Sequence, residues 1–202
     1  MSAAGASATA LAVAAVAGTS RTAALRAAHL ADLFGEGGLG GVAAIASGGG
    51  LEFRVRGGIP PWGAVQHRTL PGRLLVGVVG RPLASPRLLR SERFLARVRD
   101  ASRDLPELLR APDAGRFFDA SERFTDRLGL SSPALRTVLR GLRRRGWWAA
   151  QAMFGRSFFA RAKGAAATRG DLRWLSRGGF PIVELSAAAA GAHVSLRRAR
   201  LR

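Results

Sequence analysis

Ala28-His29-Leu30-Ala31-Asp32-Leu33 and, shortly after it, Gly38-Leu39-Gly40-Gly41-Val42-Ala43 form the stretch from which the rest of the chain is best read. His29 and Asp32 are spaced i and i+3, so a helix carries both on one face, immediately before a glycine-rich turn into another apolar segment. Such an arrangement presents polar side chains beside a pocket. Equally, the same spacing describes an ordinary solvated helix face, and the two residues alone do not separate these readings.

Upstream, Met1 to Gly18 is small and apolar, with no charge before Arg21. Its Ala-Val-Ala-Gly end resembles a signal-peptidase site, but the basic region that opens a secretory signal is missing. The run is too rich in alanine and too short for a membrane span, so a buried helix is expected and no membrane association. A helix beginning Ser2-Ala3-Ala4-Gly5 has a hydroxyl N-cap and very small side chains around its free N–H groups, which is what an approaching phosphate requires. Many core helices begin with serine as well. Ser20 or Thr22 is expected to cap a second helix running to about Phe34, and a short helix from Leu39 to Ala46 should stop at Gly48-Gly49-Gly50.

Downstream the period changes from helical to alternating. Leu51, Phe53 and Val55 alternate with Glu52, Arg54 and Arg56, the pattern of a half-buried strand, and Gly57 to Gly63 turns the chain into a second extended stretch from Ala64 to Leu70. Leu74 to Val79 is a continuous apolar run suited to a central strand. After Pro82 and Pro86 a long helical region follows, with Phe94, Val98 and Leu105, then Phe117, Phe124 and Leu128, then Leu135, Val138, Leu139 and Leu142 as core positions. Asp119, Glu122 and Asp126 mimic a metal face, but Arg116, Arg123 and Arg127 beside them point to surface ion pairs. Trp147 to Met153 and Ser157 to Ala162 read as a hairpin around Phe154-Gly155-Arg156, followed by a helix from about Asp171 to Arg177 and an extended Phe180 to Leu185. Strand, helices, strand, strand, helix, strand is the ferredoxin-like order. Gly191 to Leu196 is expected to add an edge strand, and Arg197 to Arg202 a solvated basic tail.

Composition sets the outer limits. The 202 residues, 48% of them hydrophobic, suffice for one good core or two small ones. With no cysteine, disulfides, thiolate metal sites and a cysteine nucleophile are excluded, in keeping with a cytoplasmic protein. The 32 basic residues, all arginine except Lys163, face 13 acidic ones, giving +19. Such a field attracts polyanions. Because the arginines are spread along the chain, this reads as non-specific charge attraction, with Arg140 to Arg145 leading into Trp147-Trp148 as the one local nucleic-acid candidate.

Several segments taken together resemble the archaeal pantoate kinases, a branch of the GHMP kinase superfamily that serves coenzyme A biosynthesis. They are Met1 to Gly5, Ala28 to Ala31, Gly38-Leu39-Gly40 and, most specifically, Gly49-Gly50-Leu51-Glu52-Phe53-Arg54-Val55-Arg56-Gly57-Gly58-Ile59-Pro60-Pro61-Trp62-Gly63; Ala149 to Gly155 resembles the third glycine motif loosely. The resemblance implies an α+β fold, with a partial GHMP kinase N-terminal domain over residues 1–72 and a ferredoxin-like C-terminal domain with extra helices over 73–202. The strands that precede the phosphate loop in that superfamily have no counterpart here.

The resemblance also implies the chemistry, transfer of a phosphoryl group from ATP to pantoate with Mg²⁺. Ser2, with Ala3, Ala4 and Gly5, would contact nucleotide phosphates, and Ser2 and Asp32 would hold the metal, Asp32 standing where the family has a glutamate. His29 and Arg54 would hold pantoate, the arginine pairing with its carboxylate. Where the family reads Gly-Leu-Gly-Asp this chain reads Gly38-Leu39-Gly40-Gly41, so Gly41 occupies the position of the catalytic base, with Glu36 the nearest carboxylate in sequence. Losing a base costs about 10²–10⁴-fold, while phosphoryl transfer rests mainly on positioning and charge neutralisation. An impaired kinase is therefore the first reading, with room for a homodimer; a non-catalytic descendant that binds a metabolite or partner, and an arginine-rich nucleic-acid binder, are the alternatives.

Overall fold

The computed structural model describes residues 2–35, 40–70, 72–81, 85–110, 113–153, 155–164 and 169–195. Glu36, Gly38, Leu39, Pro82, Phe154 and the basic tail from Leu196 to Arg202 lie outside them. The chain divides into two compact units, residues 1–69 with 188–202, and residues 70–187.

The first unit opens with α1 (Ala3–Ala17), α2 (Arg21–Phe34) and α3 (Gly41–Ser47). Ser2 caps α1, its hydroxyl accepting the Gly5 N–H at 3.2 Å, and Ser20 caps α2 by accepting from Ala23. Gly18 closes α1 in the left-handed conformation at φ 66°. The three-residue link from Gly18 to Ser20 folds α1 and α2 into a helical hairpin, and Ala6, Leu11, Ala14, Ala24, Leu25 and Ala28 pack with Val42 and Ala43 of α3 and with Ile59. The expectation of a buried first helix is corrected in part. Ala6, Ser7, Leu11 and Ala14 are covered, but Val13 is 60% and Val16 89% exposed, because one helix hairpin can cover only one stripe of α1.

Strands β1 (Leu51–Arg56) and β2 (Ala64–Arg68) pair antiparallel, with Glu52 opposite His67 and Arg54 opposite Val65. Leu51 and Phe53 are buried as the alternation predicts, but Val55 is exposed. The register shifts between Arg54 and Arg56, and this bulge breaks the two-residue period. Ala188 to His193 return to this unit without forming the expected edge strand. They lie instead along α3, with Ala192 donating to the Ile45 carbonyl and Arg21 holding the Ala46 and Ala192 carbonyls.

The second unit is an antiparallel sheet of β3 (Arg73–Val78), β4 (Trp147–Gln151), β5 (Ser157–Ala162) and β6 (Ile182–Ser186), in the order β4-β5-β3-β6. Counting strands within the unit, that order is 2-3-1-4, the split β-α-β arrangement. Between β3 and β4 the chain makes α4 (Ser85–Leu89), α5 (Glu92–Ala101), α6 (Leu105–Arg110), α7 (Ala114–Leu128) and α8 (Pro133–Arg144), and α9 (Arg169–Ser176) joins β5 to β6. Leu75, Trp147, Ala149, Phe158 and Ala160 face α8 and α9 across a core that includes Leu135, Leu139, Leu142 and Leu175. Trp148 and Phe159, one residue out of phase, point to the opposite side, where Phe118 of α7 stacks on Trp148 and approaches Phe159. Phe118, 2% exposed, is thus the aromatic anchor of α7, and Phe117, expected in the core, is only half-buried.

The core is close enough to register a single methyl group. A Cβ on Gly77 of β3 would lie 2.4 Å from the ring of Phe158, its cross-strand partner. Gly77→Ala is expected to destabilise the fold by about 1–3 kcal/mol, the usual cost of overpacking a filled core. Urea melts give the value, and an unchanged midpoint would contradict this packing.

Candidate functional site in the first unit

The polar residues of the first unit fall into two groups set by the helix hairpin and by the β1–β2 ribbon. Ser7, in the first half of α1, and His29 and Asp32, in the second half of α2, lie at the same end of the hairpin. All three are covered, to 1%, 7% and 2% exposure. Ser7 Oγ, His29 Nδ1 and Asp32 Oδ2 have no hydrogen-bond partner among the described residues. A buried polar atom without a partner costs about 1–3 kcal/mol, so three of them at one end of a small apolar interface are suited to taking up a ligand, an ion or water. His29 and Asp32 are therefore not the solvated helix face that their spacing also allows. Ser7 was invisible to motif reading, though it is the polar residue in step with Leu11 and Ala14 on the covered stripe of α1.

The second group surrounds the start of α3. Gly41 is its first residue, and a Cβ there would lie 2.6 Å from the Cβ of Ala3, in the first turn of α1. Gly40, just before, is met by Arg54 of β1, whose Nη1 would be 3.0 Å from a Cβ at that position. Two helix N-termini and one exposed guanidinium are thus gathered at one place. The start of the 15-residue α1 offers N–H groups and a partial positive charge, and the arginine adds a full one, a combination matched to a phosphate or a carboxylate. Ala3, Ala4 and Gly5 leave the first turn of α1 uncrowded, and Ser2 is exposed at its cap with its hydroxyl already accepting the Gly5 N–H.

The same ribbon face carries a carboxylate that sequence reasoning passed over. Glu52 lies two residues before Arg54 and directly across from His67, whose ring would crowd a Cβ on Gly49 at 2.8 Å. Partial burial alone pushes the Glu52 carboxyl above the usual carboxylate range. Its signal in the sequence was an acidic residue at a non-core position of an otherwise arginine-bearing strand.

Elsewhere the other sequence candidates are committed to structure. Arg143 pairs with Glu122 and donates to the Ala149 carbonyl, Arg145 pairs with Asp171 and lies 4.2 Å over the Trp174 ring, and Trp147 is buried with its Nε1 donating to Asp171. Arg140 and Arg144 remain exposed. Glu122, Arg116 and Arg127 form ion pairs as expected, but with Arg143, Asp113 and Asp104 rather than with each other along α7. Among the described residues no cluster of three acidic or histidine side chains is arranged for a metal, and no helix is long and apolar enough to cross a membrane.

The contact between Ala3 and Gly41 yields a test. Gly41→Asp should lower the melting temperature, because its Cβ collides with Ala3, and pairing it with Ala3→Gly should recover most of the loss. Gly41 has no positive φ, so relief by Ala3→Gly is expected to be large; failure of the second change to rescue the first would place the strain elsewhere.

No family model matches the chain, and no curated protein matches it. Among solved structures, a chain described as a phosphotransferase related to the CoA biosynthesis pathway superposes on it with a TM-score of 0.76 and 26% sequence identity. The match takes in 94% of this chain and 62% of that one, so this chain spans less than two thirds of its structural relative's length. The two share an α+β fold over nearly all of the residues present here.

Proposed function

We propose that this chain is a phosphotransferase of coenzyme A biosynthesis, a GHMP-type kinase that carries the γ-phosphoryl group of ATP to the primary hydroxyl of pantoate in the cytoplasm. The observation that carries the reading is that the turn into α3 lies against Ala3 of α1 at Gly41 and against Arg54 at Gly40, so the uncrowded start of α1 and a guanidinium flank the same two glycines. The structural relative described as a phosphotransferase of that pathway supports the class of reaction.

In this reading the first turn of α1, from Ser2 to Gly5, receives the nucleotide phosphates through the Ala3 and Ala4 N–H groups, while the Gly5 N–H is held by the Ser2 hydroxyl until a phosphate displaces it. Arg54 pairs with the substrate carboxylate by a two-pronged contact that lysine cannot reproduce, and His29 orients the substrate from α2. Asp32 has an unpartnered oxygen suited to a cation, so Asp32 and Ser2 would hold Mg²⁺, which supplies charge neutralisation on the phosphates when bound. Position 41 contributes no acid or base, only the absence of bulk that lets α3 reach α1.

That absence favours a second reading, a non-catalytic descendant that binds the same ligands. The two part on turnover. With ATP, Mg²⁺ and pantoate the first expects ADP release; saturable binding without ADP supports the second. If the kinase reading holds, Arg54→Ala should lower kcat/KM for pantoate by roughly 10- to 100-fold, the usual worth of hydrogen bonds to a charged group, mostly through KM, with Arg54→Lys restoring only part of it. An unchanged KM would remove Arg54 from the substrate site.

A further inference from the structure

We propose that the first unit carries a second ligand site, at the opposite end of α2 from His29 and Asp32, for a small carboxylic acid with a branched aliphatic body.

A cavity of about 220 Å³ lies among the first turns of α2, the second half of α3, the turn after β1 and the start of β2. Its walls are Leu25, Ile59, Pro60 and Val65 with two alanines of α3. Packed interiors leave few gaps larger than a water, and an apolar cavity of about 150 Å³ is known to take benzene, so this one has room for an acid of about five or six carbons. The space is compact and lies between three elements, which suits a branched body better than a straight chain.

The polar part of the lining is gathered at one place. Arg21 and Thr22 come from the start of α2 and Ser47 from the end of α3, and Arg21 Nη2 donates to the Ala46 carbonyl, one residue before Ser47, at 2.8 Å. Arg21 Nε donates to the Ala192 carbonyl at 3.1 Å. Two of the five guanidinium N–H groups are thereby used, and the group is held in place before a ligand arrives. Nη1 makes no hydrogen bond, and Arg21 no ion pair, among the described residues. A guanidinium already fixed loses little side-chain freedom on taking an anion, and its remaining donors match the two oxygens of a carboxylate. One cation beside an apolar space selects a monoanion whose body fills that space.

This place is separate from the one described at Ala3, Gly41 and Arg54. Thr22 and His29 stand about 10 Å apart along the axis of α2, and α3 reaches from Ala3 at Gly41 to the cavity at Ser47. The inference stands without the phosphotransferase reading.

The test is an amide NMR titration of the full chain with isovalerate, beside acetate, which has the charge without the body, and isovaleramide, which has the body without the charge. Isovalerate should move the amides of Thr22, Leu25, Ser47 and Val65 to saturation with a Kd of about 1 mM, and both controls should bind at least about tenfold more weakly. Arg21→Gln keeps a donor for the Ala46 carbonyl and removes the charge; it should weaken isovalerate by about tenfold or more and leave isovaleramide unchanged. Because Arg21 also ties residues 188–193 to α3, Thr22→Phe, at an exposed position of the lining, provides a variant that leaves those bonds alone, and its ring should abolish saturation. Acetate as effective as isovalerate, shifts spread over arginines away from the cavity, no saturation by about 20 mM, or an affinity unchanged in a folded variant would each overturn the proposal.

Discussion

The first unit depends on how closely α3 approaches the first turn of α1. Ala3 and Gly41 stand where even one added methyl group would come within 2.6 Å of another, and only the smallest side chains permit that approach. Once α3 is seated there, its start lies beside Arg54, and the ribbon face carrying Glu52 and His67 is committed to the length of the helix. The bare Cα at position 41 and the tight helix packing are one fact seen from two sides. A larger residue there would remove the contact that seats the start of α3 against α1.

The hairpin beneath carries a cost of its own. Ser7, His29 and Asp32 are buried in an interface otherwise made of alanine, leucine and valine, and each keeps a polar atom without a partner. Most buried polar atoms in folded proteins have a partner, so three without one in a single small interface mark this end of the hairpin out. A ligand, ion or water that answered these atoms would couple binding to stability at this end of the hairpin.

Much of the architecture was legible beforehand because local chemistry and burial agreed. Ser2, Ser20 and Gly18 mark helix ends through backbone N–H groups and positive φ, which depend on a few neighbouring residues and little on the rest of the fold. The strand order of the second unit followed from the alternation of helical and extended periods. What resisted was set by partners distant in sequence. Val55 lost its predicted burial to a bulge, and Phe118 displaced Phe117 because Trp148 and Phe159 lie on that side of the sheet. The closing segment was read as a strand, whereas Arg21 and the α3 carbonyls hold it as a strap. Of the candidate site, Arg54 and the start of α1 were found by motif and are brought near one another through α3. Ser7 and Glu52 had no motif, and their significance lies in burial and strand pairing that a linear reading does not contain.

The central claim is that the first turn of α1, the start of α3 and Arg54 form one anion-binding place. Its most direct test is a crystal structure of this chain grown with a non-hydrolysable ATP analogue and Mg²⁺. The account predicts phosphate density against the N–H groups of Ala3 and Ala4, with the Arg54 guanidinium at Gly40 beside it and open to a substrate carboxylate. Nucleotide bound elsewhere, with that turn bare and Arg54 facing away from Gly40, would contradict it.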